Sequence, residues 1–335
     1  MITRILVVGL GSIGKRHISI VRKYFPEVEI SVLRHQDCND DKIKNLGITH
    51  CVTSIEHAIG LEPQAAIIAS PATKHLGIAI QLAKSGIHLL IEKPIAESSR
   101  GVEELIDLCL EKNIVLMTAY NLRFLPSLVK FREYVNESKV GKILTVNAKV
   151  GSYLPSWRPN TDYSKTVSAK KSLGGGVLLE LSHEFDYLSW IFGKIIWVKS
   201  HVSKQSDFDI DTEDLANIIL GLKSSNGSIH TATLNMDFFR HDTVRYCEVI
   251  GKKGTLTLDF ISGEVRIYSP LLGEWEVLYQ SLEDKNFTYI EEIKHFFLAI
   301  ESNNYSPTSA KDGLKTVLAI EAVNKSSDKN SIVYV

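Results

Sequence analysis

Six residues near the amino terminus, Gly9-Leu10-Gly11-Ser12-Ile13-Gly14, constrain this chain more than any other feature. They follow an apolar run over 5–8 and open an amphipathic pattern over 13–25. In a G-x-G-x-x-G so placed, the first glycine permits a tight turn, the second lets backbone approach a pyrophosphate, and the third lets helix pack on strand. Unpaired N–H groups at the helix start bind the anion. Gly9, Gly11, Ser12, Ile13 and Gly14 are therefore candidate dinucleotide contacts. About 20 residues further on, an acidic side chain takes the ribose hydroxyls of NAD, whereas a cation accepts the extra phosphate of NADP. That position is Arg34, His35 follows it, and no Asp or Glu lies within 30–36. The pair predicts binding of NADP(H) in preference to NAD(H).

The first third of the chain continues the same grammar. Runs 29–33, 65–69, 88–91 and 114–119 are strand-sized and rich in Val, Ile and Leu, as strands covered on both faces are. Between them lie helical patterns over 73–85, closed by Gly86, and over 98–113, with acidic residues in its first turns. Alternation of this kind predicts a doubly wound parallel sheet. Past Asn121 the pattern changes. Pro126 starts a helix to about 136, a strand pattern covers 143–150, and 151–171 is polar, aromatic and long enough to suggest a functional loop. Glycines lead into a helix over 174–192, and strand-like runs with turns at Ser225-Asn226-Gly227 and Ser262-Gly263 fill 195–280. Helices over 289–302 and 310–326 finish the chain. The fold class expected is α/β: an amino-terminal Rossmann domain over 1–122, then an α/β domain over 123–335 with a large open, mainly antiparallel sheet.

Composition narrows the partners. A length of 335 residues suits about two domains. Acidic residues number 39 against 38 Lys plus Arg, a formal net charge of -1, so no global field exists to hold nucleic acid or an anionic membrane. No apolar run approaches the roughly 18 residues of a membrane span. Met1-Ile2-Thr3-Arg4 runs straight into a strand rather than a signal segment, which predicts a cytoplasmic protein. Cys38, Cys51, Cys109 and Cys247 stand far apart, so neither a zinc ribbon nor a disulfide framework is readable, and a reducing compartment is expected.

Two fragments end on strands of the first domain. Ser70-Pro71, with His75 close behind, follows the run 65–69, and Glu92-Lys93-Pro94 follows the run 88–91. Open α/β sheets bind ligands at such carboxyl ends. A lysine there is suited to proton transfer once desolvated.

Taken with Tyr120-Asn121-Leu122-Arg123-Phe124 and with Gly174-Gly175-Gly176 leading to His183-x-x-Asp186, these fragments occur in the order seen in the Gfo/Idh/MocA oxidoreductases, which the sequence resembles along essentially its whole length. The resemblance implies hydride transfer between nicotinamide and a sugar, cyclitol or sugar-nucleotide carbon. It also implies a homodimer or homotetramer built through the carboxyl-terminal sheet. The family's lysine maps onto Lys93 and its histidine onto His183. Oxidising a secondary alcohol requires removal of the hydroxyl proton as hydride leaves carbon. Lys93 is assigned to polarising the reacting oxygen and His183 to accepting the proton, so the two, distant in the chain, must meet one substrate. Ser70, Pro71, His75, Glu92, Lys93 and Asn121 join the expected cofactor contacts, and Arg123 the substrate contacts.

The sequence departs from the family where many members carry an Asp four residues before the histidine. Here Glu180 lies three before His183, a spacing that on one helix keeps both on a shared face, and Asp186 is the other candidate for orienting the imidazole. The alternative for His183 is a core histidine on the stripe Val177, Leu178, Leu181, Phe185 and Leu188. Glu180-x-x-His183 and Glu292-x-x-His295 also invite a dinuclear-metal reading, but that belongs to a four-helix bundle and conflicts with the strand-rich sequence, so no metal is expected. Tyr153, Trp157, Arg158, Tyr163 and Lys165 supply aromatic faces and cations suited to a sugar-like substrate. The string from Ser152 to Glu180 is similar to a subgroup associated with surface-polysaccharide and acidic-sugar pathways. Alternative functions are an NAD(P)-binding regulator without turnover and a glycosidase that recycles its NAD.

Overall fold

Side chains alternate along strand β1 (Arg4–Val8), sending Ile5 and Val7 to one face of a sheet and Leu6 and Val8 to the other. All four are buried, which explains why the run reads as continuously apolar. The structure, a computed structural model, describes residues 2–35, 45–302 and 308–335. Met1, Gln36 and Cys38 lie outside them.

Strands β1, β2 (Glu29–Leu33), β3 (His50–Val52), β4 (Ala65–Ile68), β5 (His88–Glu92) and β6 (Leu116–Ala119) form one parallel sheet in the order β3-β2-β1-β4-β5-β6. Its strand order reverses at β1 and β4, so the strand ends there flank the crevice in which such sheets bind ligands. Helix α1 (Ser12–Tyr24) follows β1, and α2 (Ile55–Gly60), α3 (Ala72–Lys84) and α4 (Val102–Glu111) follow later strands. β3 and α2 were not read from the sequence, being too short to show a period. Leu82, Ala83, Leu105 and Cys109 cover the Leu6/Val8 face.

The chain then forms α5 (Pro126–Asn136), β7 (Ile143–Gly151), α6 (Val177–Glu180) and α7 (His183–Phe192). Strands β8 (Lys194–Ser203), β9 (Leu215–Lys223), β10 (Ile229–Asp237), β11 (Val244–Gly251), β12 (Gly254–Asp259), β13 (Glu264–Ser269) and β14 (Glu274–Gln280) come next. With β15 (Val333–Tyr334) they make a nine-stranded sheet, antiparallel except for the β7–β10 pair. One face carries Val146, Leu220, Leu234 and Val249 into a core with Phe131, Phe185 and Leu188. The other face bears a polar ladder in which Asn235 donates to Asn217, Thr233 to Asn147, and Asn147 to Glu248. A groove of about 560 Å³ opens on that face between Lys199, His201, Asn217, Ile219, Thr233 and Asn235.

The remaining helices are α8 (Phe287–Ser302) and α9 (Ala310–Lys329). Two compact units result: residues 1–121 with 285–317, and residues 122–284 with 318–335. The sequence division at 122/123 thus misses the return of 285–317 to the first unit. In that unit Ile293, Phe296 and Phe297 of α8 pack with Ile18 and Val21 of α1 over the Ile5/Val7 face. Cys109 and Cys247 are buried free thiols, while Cys51 is disulfide-bonded, which the spacing of the cysteines did not announce.

Candidate active site

The glycine loop shows three different uses of a missing side chain. Gly9 has φ +97°, and a Cβ there would lie 2.7 Å from the Ala69 carbonyl oxygen, while a Cβ on Gly14 would strike the Gly9 carbonyl. Gly11 is exposed and meets nothing within 4 Å. Two glycines are thus required by packing, and the third leaves open backbone at the start of α1, where N–H groups face outward with no side-chain cap. This loop fits a pyrophosphate. Arg34 is half-buried and His35 exposed just past the end of β2, the position from which side chains reach a ribose.

His75 ties two strand-end turns together. Its Nε2 lies 2.7 Å from the Ser70 carbonyl oxygen and its Nδ1 2.9 Å from that of Pro94. Burial pushes its pKa below the ordinary histidine value, against the opposing pull of the two carbonyls. The side chain is 1% exposed, so its observed work is to hold the turn carrying Lys93 against the turn after β4. Lys93 is half-buried and is followed by a cis peptide to Pro94. Glu92, expected at the cofactor, is buried; its Oε1 lies 2.7 Å from Nε2 of His17, and its Oε2 accepts from the Lys93 N–H at 3.3 Å. Asn121 donates to Thr288 Oγ1 at 2.8 Å.

In the second unit, the helix expected over 174–192 is two helices. Leu181, at φ -101° and ψ 28°, ends α6, and α7 begins at His183. Glu180 therefore closes one short helix and His183 opens the next, so the pair lies on two successive helices and not on one. The entry to α6 is tight: Gly176 has φ +108°, and a Cβ there would strike the Glu213 carboxylate, which accepts from the Leu178 N–H at 3.3 Å. Burial raises the pKa of Glu213, with the Leu178 contact opposing.

Helix α7 is pinned on either side of its first turn. Arg123 donates to Asp186 through Nε at 2.9 Å and Nη2 at 2.6 Å, and Arg245 donates to Glu184 at 2.8 and 3.2 Å. Both carboxylates are buried, and two-point guanidinium bonds of this kind fix orientation as well as charge. Arg123 also lies over the Trp190 ring, its centre 5.4 Å from the centroid. Two sequence candidates, Arg123 and Asp186, are thus brought together. Glu184 and Arg245 were missed, since a lone Arg on a strand gives no local signal of its partner. In the aromatic loop, Tyr153 stacks on His241 with centroids 4.2 Å apart, Tyr163 meets Phe208 edge-on, and Trp157 donates from Nε1 to Ser152 Oγ at 2.7 Å. Arg158 is half-buried. Among the described residues, no group of three or more His, Cys, Asp or Glu is arranged to hold a metal ion. No described helix is long and apolar enough to cross a membrane.

Fold and glycine loop together define a two-unit α/β protein whose parallel sheet is of the Rossmann, dinucleotide-binding type. Residues 3–120 match the family described as oxidoreductases with an NAD-binding Rossmann fold, and residues 128–257 match the Gfo/Idh/MocA C-terminal domain. The chain belongs to the Gfo/Idh/MocA oxidoreductases. The myo-inositol 2-dehydrogenase of Thermotoga maritima is 24% identical over 347 residues, spanning 98% of each chain. A levoglucosan dehydrogenase in complex with NADH superposes with a TM-score of 0.86, at 21% identity over 99% of both chains. The WlbA dehydrogenase from Bordetella pertussis, in complex with NADH and UDP-GlcNAcA, gives 0.82 at 19% identity, over 99% of this chain and 97% of its own.

Proposed function

We propose that this protein transfers hydride between NADP(H), preferred over NAD(H), and a secondary alcohol or ketone of a sugar, cyclitol or sugar nucleotide in surface-polysaccharide or acidic-sugar metabolism. The observation carrying the reading is the joining of the Ser70 and Pro94 turns by His75, beside a glycine loop with an open anion-binding start. Relatives named for inositol and levoglucosan oxidation support the substrate class.

Gly9, Gly11, Ser12, Ile13 and Gly14 hold the pyrophosphate, and Arg34 with His35 the ribose phosphate. The bound nicotinamide supplies a hydride acceptor or donor. Lys93 hydrogen-bonds the reacting oxygen and polarises it; His183 takes the hydroxyl proton in oxidation and returns it in reduction. Asp186 acts on His183 by anchoring α7 through Arg123, and Glu180 lies at the end of the preceding helix. Tyr153, Trp157, Arg158 and Tyr163 form the sugar-binding loop. Copies of the chain associate through the open face of the nine-stranded sheet, where the groove beside Ile219 lies.

The test is a panel of myo-inositol, levoglucosan and UDP-sugars, each with NADP and NAD. Reduced-nicotinamide absorbance should rise in proportion to substrate consumed, faster with NADP. Consumption of substrate without that change would replace net oxidation by internal recycling of the cofactor.

A further inference from the structure

One buried ion pair next to His183 has no part in the chemistry proposed above. Glu184, the following residue of α7, is 0% exposed, and its carboxylate accepts from Nε of Arg245 at 2.8 Å and from Nη2 at 3.2 Å. Arg245 lies on β11 and is held there beside Phe260: its carbonyl oxygen accepts from the Phe260 N–H at 3.0 Å, and its guanidinium centre lies 5.9 Å from the Phe260 ring centroid. Phe260 packs in turn on Tyr187 of α7, fully buried, with ring centroids 5.3 Å apart. Glu184 and Tyr187, three residues apart, share one face of the helix. Two neighbouring strand ends thus hold that face, one by a charged grip and the other by an aromatic contact.

Successive residues of an α-helix point about 100° apart around its axis. The direction of the half-buried His183 side chain therefore follows from the roll of α7. Because the chain breaks at Leu181, α6 does not carry its own orientation into α7, and the apolar contacts of Phe185 and Leu188 are non-directional. A two-point guanidinium–carboxylate grip fixes direction as well as distance. Two such grips bear on α7, Arg245 on Glu184 and Arg123 on Asp186, about 200° apart around the axis. Held on nearly opposite sides, the helix cannot roll without lengthening one of them. We propose that Arg245 is a positioning residue for His183: through Glu184 it sets the roll of α7 and so the direction in which the imidazole points. The proposal rests on the reading of His183 as the proton acceptor.

Charge and position separate in the variants. Arg245→Met leaves the Glu184 carboxylate buried without its cation and lowers stability whatever Arg245 does for His183. Replacing both residues by methionine removes the buried charge, a change that such pairs often tolerate. The double variant should therefore recover stability without recovering the grip.

Three measurements compare wild type, Arg245→Met, and the double variant Arg245→Met, Glu184→Met. The melting temperature should drop in the single variant and return to within a few degrees of wild type in the double; a double variant as unstable as the single one overturns the proposal, because the pair then serves the fold alone. In assays with myo-inositol, levoglucosan and UDP-GlcNAcA, each with NADP and NAD, the double variant should lose about 10- to 100-fold in kcat, the scale of a misdirected group, with KM and nucleotide affinity nearly unchanged. Recovery of kcat along with stability overturns it. In 1H–13C spectra of protein labelled at histidine Cε1, the His183 signal, assigned by its loss in His183→Gln, should broaden or split in the double variant as the ring samples several directions; a single sharp line overturns it. If wild type oxidises none of these substrates, the functional reading falls, while the histidine spectra still decide whether Arg245 directs the imidazole.

Discussion

Arg123 grips Asp186 with two parallel hydrogen bonds, of 2.6 and 2.9 Å, and both side chains are nearly inaccessible to solvent. The pair fastens the helix that begins at His183 to the segment just beyond the first sheet's last strand. Removing one partner leaves a buried charge, so Arg123→Met should lower unfolding free energy by about 3–5 kcal/mol in denaturant titrations. The double variant Arg123→Met, Asp186→Leu should recover most of that loss. A double variant as unstable as the single one would show that packing, not the uncompensated charge, dominates.

The glycine loop separates packing from binding. Gly14→Ala should lower the melting temperature, because its new methyl meets the Gly9 carbonyl. Gly11→Val has room and should keep the melting temperature within a few degrees while weakening NADPH binding, measured by fluorescence. Full binding by Gly11→Val would detach this loop from the pyrophosphate.

Lys93→Met and His183→Ala should each reduce turnover by at least about 100-fold, the scale of a lost acid–base group, with nucleotide affinity nearly unchanged. Stopped assays and parallel titrations distinguish this from misfolding. Full activity in either variant would remove that residue from the chemistry.

Arg34→Ala should weaken NADPH about tenfold and NADH little, as expected for loss of one charge-assisted contact to a phosphate. Equal affinity of the wild type for the two nucleotides in a titration would withdraw the predicted preference.

His75 makes stability sensitive to acid. Its folded pKa is depressed, so below about 6.5 the unfolded chain takes up a proton that the folded one does not, and stability declines until the folded value is reached. Melting curves of wild type should therefore fall more between about pH 7 and pH 5 than those of His75→Gln. Identical profiles would mean that the two carbonyls, rather than burial, set its protonation.

What could be read beforehand was local. The loop from Gly9 to Gly14 and the helix from Pro126 to Asn136 announce themselves through residue type and spacing, and their bounds agree closely with the structure. The break at Leu181 was invisible because the apolar stripe through Val177, Leu181 and Phe185 stays in phase across it. Glu213 under Gly176, Arg245 on Glu184, and Tyr289 on His17 depend on chain segments far apart in sequence. Such pairs leave no periodic mark. Glu292 was conspicuous as part of an E-x-x-H string, yet its burial beside the first sheet follows only from the chain's return.

That return dictates an order of events during synthesis. When the first 121 residues have left the ribosome, all six strands of the parallel sheet exist, but Ile293, Phe296 and Phe297 do not. Ile18 and Val21 must then wait, uncovered, while eight of the second sheet's nine strands are translated. A genetic cut after β6 would release a nucleotide-binding half with a bare apolar flank, prone to aggregate, whereas a fusion restoring 285–317 in cis would give it a lining of its own.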